Sequence, residues 1–133
     1  GVVYVQALVQ TSSRALKDNV RTYPNALDTV NRLRGVRFDW KESGTPSVGL
    51  IAEEVEGVVP EVVLHDGGTA RGINYDSLVG VLVEAVKEQQ AAIAQQQEAI
   101  TKQNEAIAKQ QEINAELKAE INRLKSKDLI AQR

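Results

Sequence analysis

The chain has 133 residues, a formal net charge of −2 and no cysteine. This length fits one domain, or one small domain with an extension. Charges of both signs are interspersed, so we predict neither nucleic acid nor an anionic membrane as a partner. Without cysteine there is no disulfide framework, and the single histidine, His65, cannot form a zinc site alone. We therefore predict no metal and no other cofactor, and the sequence also shows no signal peptide and no membrane-spanning apolar run.

The N-terminal half of the chain predicts a small domain of mixed secondary structure. The opening GVVYVQALVQ is rich in valine and partly alternating, which is typical of a β-strand. YPNALDTVNRLRG predicts a helix that starts near Pro24 and ends at Gly35. The apolar residues on one side of this helix are Leu27, Val30 and Leu33.

Three further elements follow before residue 76. VRFDWK alternates as a strand, and the ESGTPS that follows is typical of a turn. The segment GLIAEEVEGVVPEVV predicts a short helix that ends near Pro60. VVLH and RGINY predict two short strands around the Asp66-Gly67-Gly68 turn. On the first of these strands, one face is expected to hold Val36, Phe38 and Trp40 and the other Arg37, Asp39 and Lys41. The apolar side of the helix is expected to hold Ile51, Val55 and Val58.

The C-terminal half predicts one long helix with a heptad repeat. From Asp76 to about Lys127 there is one glycine and no proline, and Asp76 or Ser77 can supply the N-cap. The 3.5-residue spacing is typical of a left-handed coiled coil. Position a holds Val79, Val86, Ile93, Ile100, Ile107, Asn114 and Ile121. Position d holds Leu82, Gln89, Gln96, Gln103, Gln110, Leu117 and Leu124.

The a and d positions together form the seam of the predicted coiled coil, and its composition favours a parallel homotrimer. Burying a glutamine amide costs free energy unless it finds partners, and rings of facing glutamines from identical chains supply them. Alanine at the flanking g positions Ala92, Ala99 and Ala106 widens the seam, which suits three strands better than two. Glu120 can meet Lys125 of a neighbouring chain, a contact that is available in a parallel assembly. The predicted trimer interface is Val79, Leu82, Val86, Ile93, Ile100, Ile107, Leu117, Ile121 and Leu124.

We therefore predict an α+β fold, with a small mixed head followed by a long C-terminal helix that forms a parallel trimeric coiled coil. The alternative is a single amphipathic helix that folds back on its own domain. A helix packed in that way has no need for the glutamine layers.

The segment TSSRALKDNV, residues 11–20, combines two serines with a lysine. A serine hydroxyl becomes nucleophilic near neutral pH when a base takes its proton, and a lysine can be that base once desolvation lowers its pKa. A solvated turn contains the same residue types, so this spacing alone is a weak signal. In a regular helix Ser13 would face Lys17, four residues later. Ser12, which is five residues from Lys17, meets it only if the segment is a turn or if the two residues come from different subunits.

Four blocks along the chain carry a more specific signal. They are SSRALKDNV, ALDTVNRLRGVRFDWK, GLIAEEVEGVVPEVV and GINYDSLVGVLVEAVKE, and together they cover about residues 12–90. In this order they resemble the intramolecular chaperone and auto-processing domain, the peptidase S74 family, of phage tail fibres, tailspikes and endosialidases. A similar domain occurs in the myelin regulatory factor of animals.

The resemblance implies a self-cleaving serine endopeptidase that acts once. Ser12 would be the nucleophile, Lys17 its base and Thr11–Ser12 the cleaved bond, with Leu16 and Asn19 also in matching places. Two residues depart from the family pattern. They are Ser13, which stands where aspartate is usual and is therefore the alternative nucleophile, and Glu53, which stands where glutamine is usual.

The resemblance also implies how the chain is organised and used. Residues 1–11 would end an upstream fibre segment, 12–75 would form the auto-processing head and 76–133 the stalk. The chain would drive trimerisation and folding of a tail fibre or tailspike in the host cytoplasm during virion assembly. It would then release itself from the mature fibre, so its partners would be two further copies and the upstream domain of the same polypeptide.

Two other functions are compatible with parts of the pattern. The first is a plain trimerisation stalk with a non-catalytic head, in which the two serines cap a helix and Lys17 is a surface residue. The second is the auto-processing region of a membrane-tethered transcription factor, which needs a DNA-binding domain and a membrane span that this sequence does not show. A zipper-type DNA binder is disfavoured because no basic region precedes the heptads.

Overall fold

The computed structural model of the chain describes residues 2–132. Gly1 and Arg133, the outermost residues of the predicted segments 1–11 and 76–133, lie outside the described residues. The chain divides into two compact units, one ending at Ala85 and the other starting at Val86. We call the described residues 2–85 the head unit and residues 86–132 the stalk unit.

The head unit combines two small antiparallel sheets with two short helices, as the predicted mixed head requires. The sheets are the hairpins β1–β2 and β3–β4. The elements in chain order are α1 (Ala26–Arg32), β1 (Val36–Asp39), β2 (Pro46–Gly49), α2 (Ala52–Glu56), β3 (Val63–Asp66), β4 (Thr69–Ile73) and α3 (Leu78–Ala131). Single 3₁₀ turns lie at Arg14–Leu16, Pro60–Val62 and Tyr75–Ser77.

The first hairpin confirms β1 and corrects the segment that follows it. Val36 and Phe38 are half-buried and the alternate residues are exposed, as predicted. Trp40, however, lies beyond the end of β1 and packs edge-on against Phe38, with 5.0 Å between the ring centroids. The predicted turn ESGTPS and the residues after it contain β2, which pairs with β1. Proline and glycine, at the two ends of β2, are typical breakers of strands, and they hid this edge strand in the sequence.

The second hairpin confirms the predicted strand pair and its turn. Gly67 and Gly68 both have positive φ angles, +59° and +82°, which is the backbone that a two-residue hairpin turn requires. Asp66 and Thr69 are the paired residues that flank this turn. A register irregularity lies between Leu64 and His65.

Both predicted helices of the head are present but shorter than expected. α1 ends at Arg32 rather than at Gly35, and α2 has only five residues. The apolar sides are correct, because Leu27, Val30, Leu33, Ile51 and Val58 are half-buried and Val55 is buried. The most buried residues of α1 are Ala26 and Thr29, which the apolar pattern did not indicate.

The core of the head unit has two parts, and α3 contributes to both. One part contains Leu78 together with Val55, Val59, Val62, Val63 and Ala70. The other contains Val81 and Ala85 of α3 with Ala26 of α1. Small cores of this kind bury limited apolar surface and commonly rely on additional association for stability.

The long helix confirms the prediction of one uninterrupted helix in the C-terminal half. It runs from Leu78 to Ala131, 54 residues, so it starts two residues later and ends about four residues later than predicted. Asp76 and Ser77 lie in the preceding 3₁₀ turn rather than at the N-cap. Among the described residues, no helix has both the length and the apolar composition needed to cross a membrane.

The strand predicted for the opening segment is not formed over its described residues, 2–10. Residues 2–10 have no regular secondary structure. A strand requires a hydrogen-bonded partner, and neither hairpin of the head supplies one. The large apolar side chains of this segment are all exposed: Val2, Val3, Tyr4, Val5, Leu8 and Val9.

An ion pair links the segment after α1 to α2 and makes the stability of the head depend on pH. Arg34 donates to both carboxylate oxygens of Glu54, at 3.2 and 2.5 Å. These hydrogen bonds and the attraction of the opposite charge lower the pKa of Glu54 below its ordinary value of 4.5. The contribution of the pair is therefore fully present above pH 4.5 and is lost as the pH falls through the lowered pKa of the folded state.

We expect Glu54→Gln to be slightly less stable than the unaltered chain at pH 7, and the difference to vanish at acid pH. Urea denaturation of both proteins at a series of pH values measures it. Both partners are exposed, so the effect is small and decreases with added salt. A difference that grows as the pH falls would contradict this account of the pair.

Candidate active site and oligomerisation seam

The serine–lysine segment folds as one turn of 3₁₀ helix, not as an α-helix. Ser13 is the N-cap residue, and its Oγ accepts a hydrogen bond of 3.3 Å from the backbone N–H of Ala15. Lys17 closes the turn by donating its backbone N–H to the carbonyl of Arg14 at 3.0 Å, and its own backbone is extended. A hydroxyl that accepts from the turn in this way is typical of serine at a cap.

This turn brings Ser12 and Lys17 together within one chain. The Nζ of Lys17 donates to the Oγ of Ser12 at 2.7 Å. Of the two arrangements left open by the spacing, the turn is therefore the one present, and the helical pairing of Ser13 with Lys17 is not formed. The serine side chains have separate tasks, since Ser13 caps the turn and Ser12 contacts the amine.

The residues in matching places of the family pattern, Leu16 and Asn19, lie in or next to this turn, and Glu53, which departs from the pattern, lies in α2. Asn19 has a φ of +52°, a left-handed conformation that asparagine tolerates better than most residues, and it turns the chain just after Lys17. Leu16 is 70% exposed. Glu53 is exposed and borders an apolar groove of about 610 Å³ that Trp40 and Val48 also line.

The Ser12–Lys17 pair is exposed to solvent in the single chain. A lysine acts as a base only as the neutral amine, because an ammonium donates hydrogen bonds and cannot accept a proton. The distance of 2.7 Å between Lys17 Nζ and Ser12 Oγ suits proton transfer once the amine is neutral.

The bond that precedes Ser12 lies in the segment without secondary structure, but one contact holds it. The Nε2 of Gln10 donates to the Oδ2 of Asp76 at 2.9 Å, across 66 positions of sequence. Sequence reasoning missed both residues, apart from Asp76 as a possible helix cap. No local pattern relates residues so far apart, so nothing in the sequence could have paired them.

The first turns of α3 have two apolar faces with different tasks. Leu78, Val81 and Ala85 are buried in the core of the head unit. Val79 and Leu82, one position further along in each case, are 57% and 49% exposed. Successive residues of a helix point about 100° apart, so packing of the head leaves the predicted seam uncovered at this level.

The predicted seam is uncovered along the stalk unit as well. Its apolar members are between 42% and 62% exposed: Val86, Ile93, Ile100, Ile107, Leu117, Ile121 and Leu124. Gln110 and Asn114, at successive d and a positions, share a hydrogen bond of 2.9 Å. A row of exposed isoleucines and leucines at heptad spacing is the pattern that association of helices buries. Its burial in a trimer remains a prediction.

Two ion pairs lie along the stalk helix surface, both between residues of one chain. Lys102 and Glu98 form an i,i+4 ion pair at 3.0 Å. Glu120 accepts hydrogen bonds from Arg123, which lower the pKa of Glu120. The expected contact of Glu120 with Lys125 of a neighbouring chain remains a prediction.

Comparison with known proteins shows that the segment with the serine–lysine turn is similar to a described family. Residues 12–64 match the family model described as chaperone of endosialidase, Peptidase S74. The long tail fiber protein Gp37 of Salmonella phage S16 is 27% identical over 97 residues, or 65% of this chain and 13% of that protein. The protein of the same name from Escherichia phage AR1 is 31% identical over 90 residues, or 60% of this chain and 8% of that protein.

The chain thus spans about a tenth of the length of these tail fibre proteins. The matched family segment begins at Ser12, the residue that Lys17 contacts, and extends into β3. Residues 12–64 are thus similar to the chaperone-of-endosialidase family, Peptidase S74, and a longer part of the chain is similar to phage long tail fiber proteins.

Proposed function

We propose that this chain is an intramolecular chaperone that trimerises and folds a phage tail fibre or tailspike and then releases itself by autoproteolysis. The contact of 2.7 Å between Lys17 Nζ and Ser12 Oγ carries this proposal, because it joins the proposed base to the proposed nucleophile, and Ser12 is the first residue of the matched segment. The relatives named as long tail fiber proteins support the fibre as the upstream partner.

The proposed chemistry breaks the peptide bond between Thr11 and Ser12. Lys17, as the neutral amine, takes the proton of the Ser12 hydroxyl, and the Oγ attacks the carbonyl carbon of Thr11. The C–N bond then breaks, the amine of Ser12 receives the proton from Lys17, and Thr11 is left as an ester on Oγ. Water hydrolyses that ester, which yields a carboxylate at Thr11 and restores the hydroxyl of Ser12.

Trimerisation would switch this chemistry on. In the single chain Ser12 and Lys17 are exposed to water. Burial of the pair against neighbouring subunits removes water and favours the neutral amine. Cleavage then occurs only after the chains have assembled, and it reports that the assembly is correct.

The stalk would supply the early step of assembly. Fibres rich in β-structure must align three chains by non-local pairing, which is slow and prone to aggregation. A heptad seam raises the effective concentration of the chains and sets their axial alignment. The exposed valines of residues 2–9 are then available to pair with the same segments of the neighbouring chains, in the host cytoplasm where the virion assembles.

One observation favours a non-catalytic trimerisation domain as the second candidate. Ser13 acts as a cap in the turn, and a turn of this kind can place Ser12 and Lys17 together for structural reasons alone. The two candidates differ in whether the polypeptide is cut.

The experiment that separates them follows the mass of the protein, produced with its natural upstream segment, over several days. We expect trimers, identified by sedimentation, to yield a fragment that begins at Ser12, and we expect hydroxylamine to accelerate the cut because it attacks the ester. Trimers that keep their full mass throughout would support the non-catalytic candidate instead.

A further inference from the structure

We propose that Asp76 is a positioning residue for the cleavage between Thr11 and Ser12, and that it acts through Gln10. This inference rests on the proposed autoproteolysis and adds a residue to it that belongs neither to the serine–lysine pair nor to the seam. It makes the 3₁₀ turn that precedes α3 part of the apparatus that orients the bond to be cut.

The contact itself joins the substrate side of the cleavage to the 3₁₀ turn that precedes α3. Gln10 precedes Thr11, whose carbonyl carbon is the proposed point of attack, and its Nε2 donates to the Oδ2 of Asp76 at 2.9 Å. A hydrogen bond to a carboxylate is stronger than one between neutral groups. The hydrogen bond between Gln10 and Asp76 ties the described residues 2–11 to the rest of the head unit.

Asp76 is suited to this task because its neighbours on both sides are fixed. The hydroxyl of Tyr75 accepts a hydrogen bond of 2.9 Å from the backbone N–H of Leu50. Gly49 allows this close approach, because a Cβ at that position would lie 2.7 Å from the same hydroxyl. Two residues after Asp76, Leu78 is only 6% exposed and belongs to the core. The carboxylate is thus carried by a short, well-anchored 3₁₀ turn.

Positioning matters for this reaction because the attacking hydroxyl and the attacked carbonyl belong to adjacent residues. The nucleophile is held by Lys17 on one side of the bond. A free upstream segment would let the carbonyl rotate away from it, and loss of alignment lowers the rate of a reaction between positioned groups. The Gln10–Asp76 contact restrains the other side.

This arrangement sets a requirement on the side chain at position 10. A donor at that position matches the carboxylate of Asp76, whereas a second carboxylate would repel it. The upstream fibre segment should therefore tolerate hydrogen-bond donors two residues before Ser12 and reject acidic residues there.

The test measures first-order cleavage rates and the trimer fraction of full-length variants in parallel. We expect Asp76→Ala and Gln10→Ala each to slow cleavage about three- to tenfold with the trimer fraction unchanged, and the double variant to be no slower than either. Gln6→Ala and Asp66→Ala, which alter an exposed amide and an exposed carboxylate elsewhere in the head, are the controls and should cleave at the normal rate.

A reciprocal pair distinguishes positioning from a merely structural role. Gln10→Glu should cleave more slowly than Gln10→Ala, and adding Asp76→Asn should restore the rate to within about twofold, since the new amide donates to the new carboxylate. A normal rate for Asp76→Ala, or slow cleavage that Asp76→Asn does not correct in Gln10→Glu, would overturn the inference. Absence of any cleavage in the unaltered trimer would instead overturn the proposed function on which it rests.

Discussion

Replacement of Ser12 by alanine is expected to leave a full-length product that is still trimeric. Ser12 is the side chain that the amine of Lys17 contacts, and without its hydroxyl the Thr11 carbonyl has no adjacent nucleophile. Removing a nucleophile from a pair that acts as a unit lowers the rate by about a thousandfold or more. Denaturing gels and intact mass measure cleavage, and sedimentation measures the trimer.

Substitutions of Lys17 and Ser13 test whether the loss of cleavage is specific to the proposed base and nucleophile. Lys17→Arg keeps the positive charge and the ability to donate, but a guanidinium does not lose its proton in proteins, so this variant should be as inactive as Lys17→Ala. Ser13→Ala removes only the cap of the turn and should cleave within a few-fold of the normal rate. If Ser12→Ala cleaved normally and Ser13→Ala did not, Ser13 would be the nucleophile.

Mixed trimers reveal whether the pair acts within one chain. Ser12 and Lys17 meet in the same subunit, so chains that carry Ser12→Ala and chains that carry Lys17→Ala should not repair one another. Cleavage of the Lys17→Ala chains in such mixtures would show that a neighbouring subunit supplies the amine.

Disruption of the stalk seam is expected to abolish trimers and cleavage together. Truncation at about Gln90 removes most of the heptads, so the subunits lose the surface that joins them. The same loss is expected in the full-length chain from Ile100→Lys combined with Ile107→Lys, because a trimer would bury six ammonium groups in its seam. Both isoleucines are more than half exposed in the single helix, so the folded head should survive.

The matched control places the same charges on the outer surface of the stalk. Thr101→Lys combined with Ala108→Lys changes the residues directly after the two isoleucines, at b positions, and should leave trimers and cleavage intact. Sedimentation at several concentrations and the cleavage rate are the measurements. Cleavage of monomeric seam variants at the normal rate would break the proposed link between assembly and self-release.

The sequence predicted those parts of the fold whose signals are local and periodic. The heptads indicated one uninterrupted helix, and the Asp66-Gly67-Gly68 turn indicated the β3–β4 hairpin, because two consecutive glycines supply the positive φ angles. β2 was missed because its two ends are proline and glycine. The strand expected in residues 2–10 has the right side chains but lacks a partner in the single chain.

The geometry of the candidate site could not be derived from the sequence. The family resemblance indicated Ser12 and Lys17, yet spacing alone favoured Ser13, since it assumed an α-helix. The 3₁₀ turn reverses that preference, because it ends at Lys17 and leaves Ser13 to cap it. The contact between Gln10 and Asp76 joins distant parts of the chain, and only the folded structure brings them together.

The distribution of aromatic residues gives each unit of the molecule its own optical signal. Trp40, the only tryptophan, packs edge-on against Phe38 at the first hairpin. No tyrosine, phenylalanine or tryptophan follows Tyr75 in the sequence. Intrinsic fluorescence therefore reports on the head, while far-ultraviolet circular dichroism is dominated by the long helix. Heating one unlabelled sample and following both signals can thus show whether the stalk and the head melt together or in separate steps.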